Sequence, residues 1–284
     1  MGIHIICFFI LGLFIGSFLN VLINRLPKEE SIMGRSYCPY CKKKLEWQEL
    51  FPVLSFVLLG AKCSGCKKKI SFQYPLVEII TGILFAFSMS LAPNYFLFSF
   101  GGDFLINLIT IFLTICLLSA ISALLVIFVT DFKYMIVPDK VIYPAMMFAI
   151  FYQIFKILNQ NLISGSKIQF FDFAQLGYAI LSGIVALLFF LFLVIITKGK
   201  GMGLGDVKIA AFMGFLLGPS NLAAALFLSF ISGSVIGLVL ILLKRKTFKS
   251  EVPFGCFLAP ATFISMFWGQ EIINYYFEIL MGIW

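Results

Sequence analysis

Two of the five aspartates in this 284-residue chain, Asp131 and Asp206, stand where long apolar runs end. An ionisable residue in that position is a functional-site candidate. Asp206 lies in Gly201-Met202-Gly203-Leu204-Gly205-Asp206-Val207-Lys208, where Gly203 and Gly205 permit either positive φ or a very close helix approach. The bland alternative is an aspartate that caps the next helix. Two carboxylates within hydrogen-bond reach share one proton, so one can take a proton from water while the other protonates a carbonyl or a leaving amine. That is aspartic-protease chemistry, and it needs neither histidine nor metal. Other hydrolytic machinery is missing. The one histidine is His4, which leaves no Ser-His-Asp or Cys-His arrangement, and no HExxH or nucleotide-cradling glycine motif occurs.

A second group is built from cysteine. Cys38-Pro39-Tyr40-Cys41 and Cys63-Ser64-Gly65-Cys66 are separated by 21 residues, the spacing of a tetrathiolate zinc site. The site is read as structural, because four thiolates leave no open coordination position. Metal binding would also supply folding free energy to a segment with little core of its own. Disulfides are the alternative, disfavoured in a reducing compartment. Cys7, Cys116 and Cys256 sit alone in apolar runs and read as small core residues.

The elements that must position these groups are membrane helices. With 61% hydrophobic residues, 12% charged and a mean hydropathy of +1.05, the expected fold is an all-α polytopic membrane protein with about eight transmembrane helices and a zinc-binding loop. The expected spans are 3–23, 74–91, 105–130, 134–158, 174–197, a short helix 207–218, then 222–243 and 253–268. No Lys or Arg precedes the first span, whereas Arg25 and Lys28 follow it, which reads as an anchor rather than a cleavable signal. The net charge of +8 is not a nucleic-acid footprint, since nineteen of the 21 Lys and Arg fall in loops on one side of this topology, with Lys156 and Lys167 on the other. That bias marks the cytoplasmic side and puts Asp131, Asp139 and Asp206 there. Gly12, Gly16, Asn20 and Asn24 share one face of the first helix. The glycines read as helix packing; the asparagines are open to either reading. Glu78, one turn inside the second span, reads either as a carboxylate that snorkels outward or complements the helix N-terminal dipole, or as a functional one facing the loop.

Several blocks in order carry a family resemblance. Gly203-Leu204-Gly205-Asp206 resembles the GxGD aspartic proteases, and Asp131 in D-x-x-x-x-x-V-P-D resembles their first aspartate motif. The run Gly16-Ser17-Phe18-Leu19-Asn20-Val21-Leu22-Ile23-Asn24-Arg25-Leu26-Pro27, the two CxxC pairs and Tyr74-Pro75-Leu76-Val77-Glu78 are similar to successive blocks of the type IV prepilin peptidases. Two departures stand out: Phe51-Pro52 replaces an aliphatic-Pro pair, and Phe254-Gly255-Cys256-Phe257 lacks a proline often present. The resemblance implies an inner-membrane enzyme that cuts the basic leader from prepilins or pseudopilins, after a Gly and commonly before a Phe. The new N-terminus is then N-methylated from S-adenosylmethionine. It implies Asp131 and Asp206 as the peptidase pair, with Gly203, Gly205 and Lys208 supporting them and Asp139 as a structural auxiliary. Cys38, Cys41, Cys63 and Cys66 become zinc ligands, and Glu78 a position tied to methyl transfer. The implied organisation is a first helix (1–24), a cytoplasmic zinc loop (25–73), a second helix with an external loop (74–104), a peptidase domain (105–268) and a tail (269–284). The alternatives are a peptidase without methyl transfer and, from a different class, a transporter whose carboxylates coordinate a cation.

Overall fold

The computed structural model describes residues 2–91, 104–164, 170–199, 202–244 and 252–281. Of the expected external connections, 92–103 and 165–169 lie outside the described residues, whereas 159–164 and 170–173 are helical; Gly201 and the expected cytoplasmic Arg245, Lys246 and Lys249 also lie outside them. The helices are α1 (Gly2–Arg25), α2 (Leu54–Leu58), α3 (Gln73–Leu91), α4 (Phe104–Tyr134), α5 (Asp139–Ser164), α6 (Phe170–Ile196), α7 (Leu204–Leu242) and α8 (Gly255–Met281). All but α2 are long and apolar enough to cross a membrane, seven in total among the described residues. No strand occurs there; the β-geometry is limited to two isolated bridges. This is an all-helical integral membrane protein. The expected short helix 207–218 and span 222–243 are both present, as two helices joined end to end across a kink within α7. Its break is at Gly218 (φ 72°, ψ 179°), directly before Pro219. Likewise α8 runs on past 268 to Met281.

The chain divides into two compact units, Met1–Leu97 and Phe98–Trp284. In the first, α1 and α3 pack antiparallel at a distance only glycine allows. A Cβ on Gly12 would lie 2.6 Å from Gly82 Cα, and one on Gly16 would lie 2.7 Å from Glu78 Cα. Helices in lipid associate through such small-residue contacts. Asn20, one turn further along, donates from Nδ2 to the main-chain oxygen of Tyr74 at 3.0 Å. The glycine stripe is therefore packing, and its first asparagine continues the same seam. Beyond α1, the buried Arg25 guanidinium donates to the carbonyls of Ser31, Ile32, Met33 and Arg35 at 3.0–3.4 Å, which fixes the first turn of the loop.

In the second unit α4 is the most buried helix: Leu113, Ile121, Val126 and Ile127 are at most 1% exposed. Gly183 of α6 and Gly214 of α7 bring those helices into backbone contact, and Ser182 Oγ donates to Gly214 O at 2.8 Å. The break in α7 frees carbonyls from their helical donors, because Pro219 has no N–H. Gln153 of α5 supplies donors instead, from Nε2 to Leu216 O at 2.6 Å and to Phe215 O at 3.3 Å. A broken helix inside a membrane needs such a substitute.

Candidate active site

Asp131 is in the last turn of α4 and Asp206 in the first turn of α7, both buried, at 6% and 9% exposed. A reason for each conformation is visible locally. Asp206 is the third residue of α7, and its Oδ2 accepts the main-chain N–H of Gly203 at 3.2 Å, the carboxylate half of a capping box whose other half glycine, without a side chain, does not supply. The capping role weighed for Asp206 is real, but it uses only part of the carboxylate. Gly203 has φ −87°, so positive φ is not what it contributes. Gly205 is needed for close approach instead, since a Cβ there would lie 2.7 Å from Val137 Cγ2, in the segment between α4 and α5.

Asp131 is held from a different element. Its Oδ2 accepts the main-chain N–H of Cys256, in the first turn of α8, at 3.2 Å. The point where a Gly255 Cβ would stand is 2.7 Å from Asp131 Oδ2 and 2.9 Å from Ile209 Cδ1. Ile209 is three residues after Asp206 and so shares its face of α7. Asp131, the Asp206 face and the start of α8 therefore converge at Gly255. The structure brings together two buried carboxylates, each steadied by a main-chain N–H at a helix start, which is favourable for negative charge.

Lys208 and Asp139 form an ion pair between the starts of α7 and α5, and the Lys208 ammonium also lies 5.5 Å from the Tyr143 ring centroid. Their side chains are 30% and 57% exposed, so the pair fastens two helix ends at the surface of the site. Gly255 and Cys256 are the residues that the sequence did not single out as functional. Their signal is the block Phe254-Gly255-Cys256-Phe257, which stands out only for the proline it lacks.

The first unit holds the other two groups. Around Cys38–Cys41 and Cys63–Cys66 the chain makes two matching knuckles. Each is closed by one antiparallel bridge, Tyr37 with Lys44 and Lys62 with Lys69. Each also turns at a left-handed lysine directly after its second cysteine, Lys42 (φ 58°) and Lys67 (φ 57°). All four Sγ atoms lie within 4.8 Å of one another. Cys38 and Cys66 are 3.8 Å apart, and Cys41 and Cys63 3.9 Å. Four sulfurs at about 2.3 Å from a tetrahedral ion stand roughly 3.8 Å apart, so this cluster fits a metal without rearrangement. Main-chain N–H groups of Cys66 and Gly65 pull the Cys63 thiol down to about 6, whereas Cys66, against the pull of the Lys68 main chain, is pushed up to about 11 by burial and the other three sulfurs. One thiolate therefore forms first, and a bound cation is needed to draw the rest down.

Glu78 is neither snorkelling nor solvated. It is 7% exposed, and its Oε2 accepts the main-chain N–H of Val53 at 2.8 Å. On the neighbouring turn of the same seam, Asn20 Oδ1 is buried with no hydrogen-bond partner among the described residues. The pair offers acceptors suited to a cationic group.

Comparison with known proteins agrees with this division. Residues 10–91 match the bacterial peptidase A24 N-terminal domain, and residues 118–238 match the type IV leader peptidase family. The chain is 33% identical over 275 residues to a prepilin leader peptidase/N-methyltransferase of Bacillus subtilis, covering 96% of this chain and 98% of that one. It is 30% identical to the protein of that name in Aeromonas hydrophila, over 94% of this chain and 92% of the other. For Pseudomonas aeruginosa the figures are 28%, 96% and 93%. No solved structure gives a significant match.

Proposed function

Because this chain belongs to the type IV leader peptidase family, we propose that it is a membrane aspartic endopeptidase that removes the basic leader of prepilins or pseudopilins and N-methylates the exposed N-terminus. The observation that carries the peptidase half is the convergence of Asp131 and Asp206 beside Gly255, both buried and both accepting a main-chain N–H. An aspartic mechanism needs one carboxylate and one carboxylic acid. The carboxylate takes a proton from the attacking water, while the acid donates to the scissile carbonyl and then the leaving amine receives a proton. Burial of both side chains strengthens these charge movements relative to water.

The loop's four cysteines, Cys38, Cys41, Cys63 and Cys66, would hold zinc as a structural staple. The charge bias of the loops supports a bacterial cytoplasmic membrane location with that loop and both aspartates on the cytoplasmic side, where a leader carrying positive charge is retained. For the second activity S-adenosylmethionine would supply an electrophilic methyl group. On this chain's side, Glu78 and Asn20 would orient the amine of the processed pilin. That amine has an ordinary pKa of about 7.7–8.0, so only modest help is needed to keep it neutral.

The deciding experiment co-expresses a prepilin with Asp131→Asn or Asp206→Asn protein. Each single change is expected to abolish leader removal while the enzyme still accumulates in the membrane; normal processing by both ends the assignment. Mass spectrometry of the mature pilin separates the bifunctional enzyme from a peptidase alone, since an unmethylated terminus in cells with ample methyl donor removes Glu78 from the site.

A further inference from the structure

Residues 47–59 read Trp-Gln-Glu-Leu-Phe-Pro-Val-Leu-Ser-Phe-Val-Leu-Leu, without a single Lys or Arg, inside a loop that otherwise carries many. The lysines stand on both sides of the run, at 42–44 and at 62 and 67–69. This apolar stretch does not fold into a core of its own. Trp47 is 70% exposed, Leu54 61%, Val57 69% and Leu58 78%. Such a surface is unfavourable in water.

Its anchors lie well inside the helices. The Phe51 ring packs edge-on against Phe14, with centroids 6.1 Å apart. Phe14 is eleven residues before the end of α1, about 16 Å along the helix axis. Val53 donates its main-chain N–H to Glu78, the sixth residue of α3. The segment therefore descends alongside the two spans rather than standing off their ends. Its main chain is also prepared for the absence of water. Pro52 has no N–H, and Ser55, Val57 and Leu59, with Gly60 and Ala61 directly after the segment, donate to its carbonyls at 2.9–3.1 Å. Glu49, its one charge, folds back onto the Glu46 N–H and Lys43. Val53 itself turns through φ 59°, ψ −48°, a conformation a β-branched residue holds only under compulsion. At membrane depth non-helical backbone is tolerated only where protein supplies its hydrogen bonds.

We propose that residues 47–59 form a re-entrant segment lodged in the lipid beside α1 and α3, with Trp47, Leu54, Val57 and Leu58 against acyl chains. Glu78 is the buried acceptor that lets the chain reverse there. It is a positioning residue for this segment, whatever else it contributes. The flanking lysines mark the headgroup level on entry and exit. This reading rests on α1 and α3 crossing the membrane and not on the peptidase assignment, so the two can fail separately.

The test uses the full chain with Trp268→Phe and Trp284→Phe, which leaves Trp47 as the sole tryptophan. The protein is reconstituted in vesicles of phosphatidylcholine and phosphatidylglycerol, with or without bromine on the acyl chains. The expected result is a blue-shifted emission, quenched roughly twofold or more by the brominated lipids and little affected by iodide. Adding Glu78→Ala should weaken the acyl-chain quenching, and Glu78→Gln, which keeps a carbonyl acceptor, should retain most of it. Emission typical of water, open to iodide and blind to the bromines, overturns the proposal. So does acyl-chain quenching that is the same in Glu78→Ala, for the part assigned to Glu78.

Discussion

A single methyl group at Gly255 should disable cleavage without unfolding the protein. Its Cβ would stand 2.7 Å from Asp131 Oδ2, 3.1 Å from Asp131 Cγ and 2.9 Å from Ile209 Cδ1. Ordinary contact begins at about 3.5 Å, so the carboxylate must retreat by roughly 0.8 Å; the tip of Ile209 can swing aside. That retreat stretches the 3.2 Å bond from the Cys256 N–H beyond useful length. A hydrogen bond to a charged group contributes about 1.5–3 kcal/mol, which is roughly 10- to 150-fold in rate. A reacting group displaced by about 1 Å costs on the order of 10²-fold by a separate argument. The two agree, and leader cleavage by Gly255→Ala should fall by roughly 10- to 100-fold. Stability should fall by no more than the usual cost of overpacking, about 1–3 kcal/mol. The assay is turnover of a synthetic prepilin peptide by purified enzyme in detergent, beside thermal unfolding and methylation of a pre-cleaved pilin. Full turnover with normal unfolding would refute the reasoning, because Asp131 would then tolerate a position the mechanism forbids.

The N–H of Cys256 can be tested apart from its thiol: Cys256→Ala keeps the donor and should cleave nearly as well as the parent, whereas Cys256→Pro removes it in a helix turn that accepts proline and should lose about tenfold or more in kcat. Replacing any one of Cys38, Cys41, Cys63 or Cys66 with Ser should remove the bound metal, read by elemental analysis, and weaken methyl transfer before cleavage; equal loss of both activities would contradict a purely local staple. Asp139→Asn should leave cleavage within a few-fold of the parent, since a pair as exposed as Lys208–Asp139 contributes about 0–1 kcal/mol. A collapse of kcat there would mean Asp139 works at the site itself.

How much of this was legible beforehand follows from what each feature depends on. The four-cysteine cluster was readable because its sulfurs come in local pairs, and a C-x-x-C turn presents two of them however the rest of the loop runs. The glycine stripe on α1 was readable because a four-residue repeat stays on one face of a helix whatever its partner is. The aspartates were legible as candidates from their place at the ends of apolar runs, but their convergence depends on α8, which neither of them belongs to. Nothing about Gly255 or Cys256 in a linear reading says that a carboxylate 125 residues earlier will accept the Cys256 N–H. Gln153 is the same case: its amide matters only because Gly218 and Pro219 free two carbonyls on another helix.

The stretch 47–59 shows a different kind of limit. Thirteen residues, ten of them apolar, are too few to span a bilayer and lack a helical or strand period, so a count of charges assigns them to the polar loop around them. What distinguishes them is where two donors go: a water-facing loop has no reason to place a proline where an N–H would point, nor to meet the next N–H with a buried carboxylate. Pro52 and Glu78 together remove or satisfy two consecutive donors at the deepest point of the turn. The same carboxylate that resembles a methyl-transfer residue thereby has a task in the fold. A loss of methylation in a Glu78 variant identifies a catalytic group only if Trp47 is still in the lipid; if Trp47 has moved out, the activity was lost with the segment that Glu78 holds.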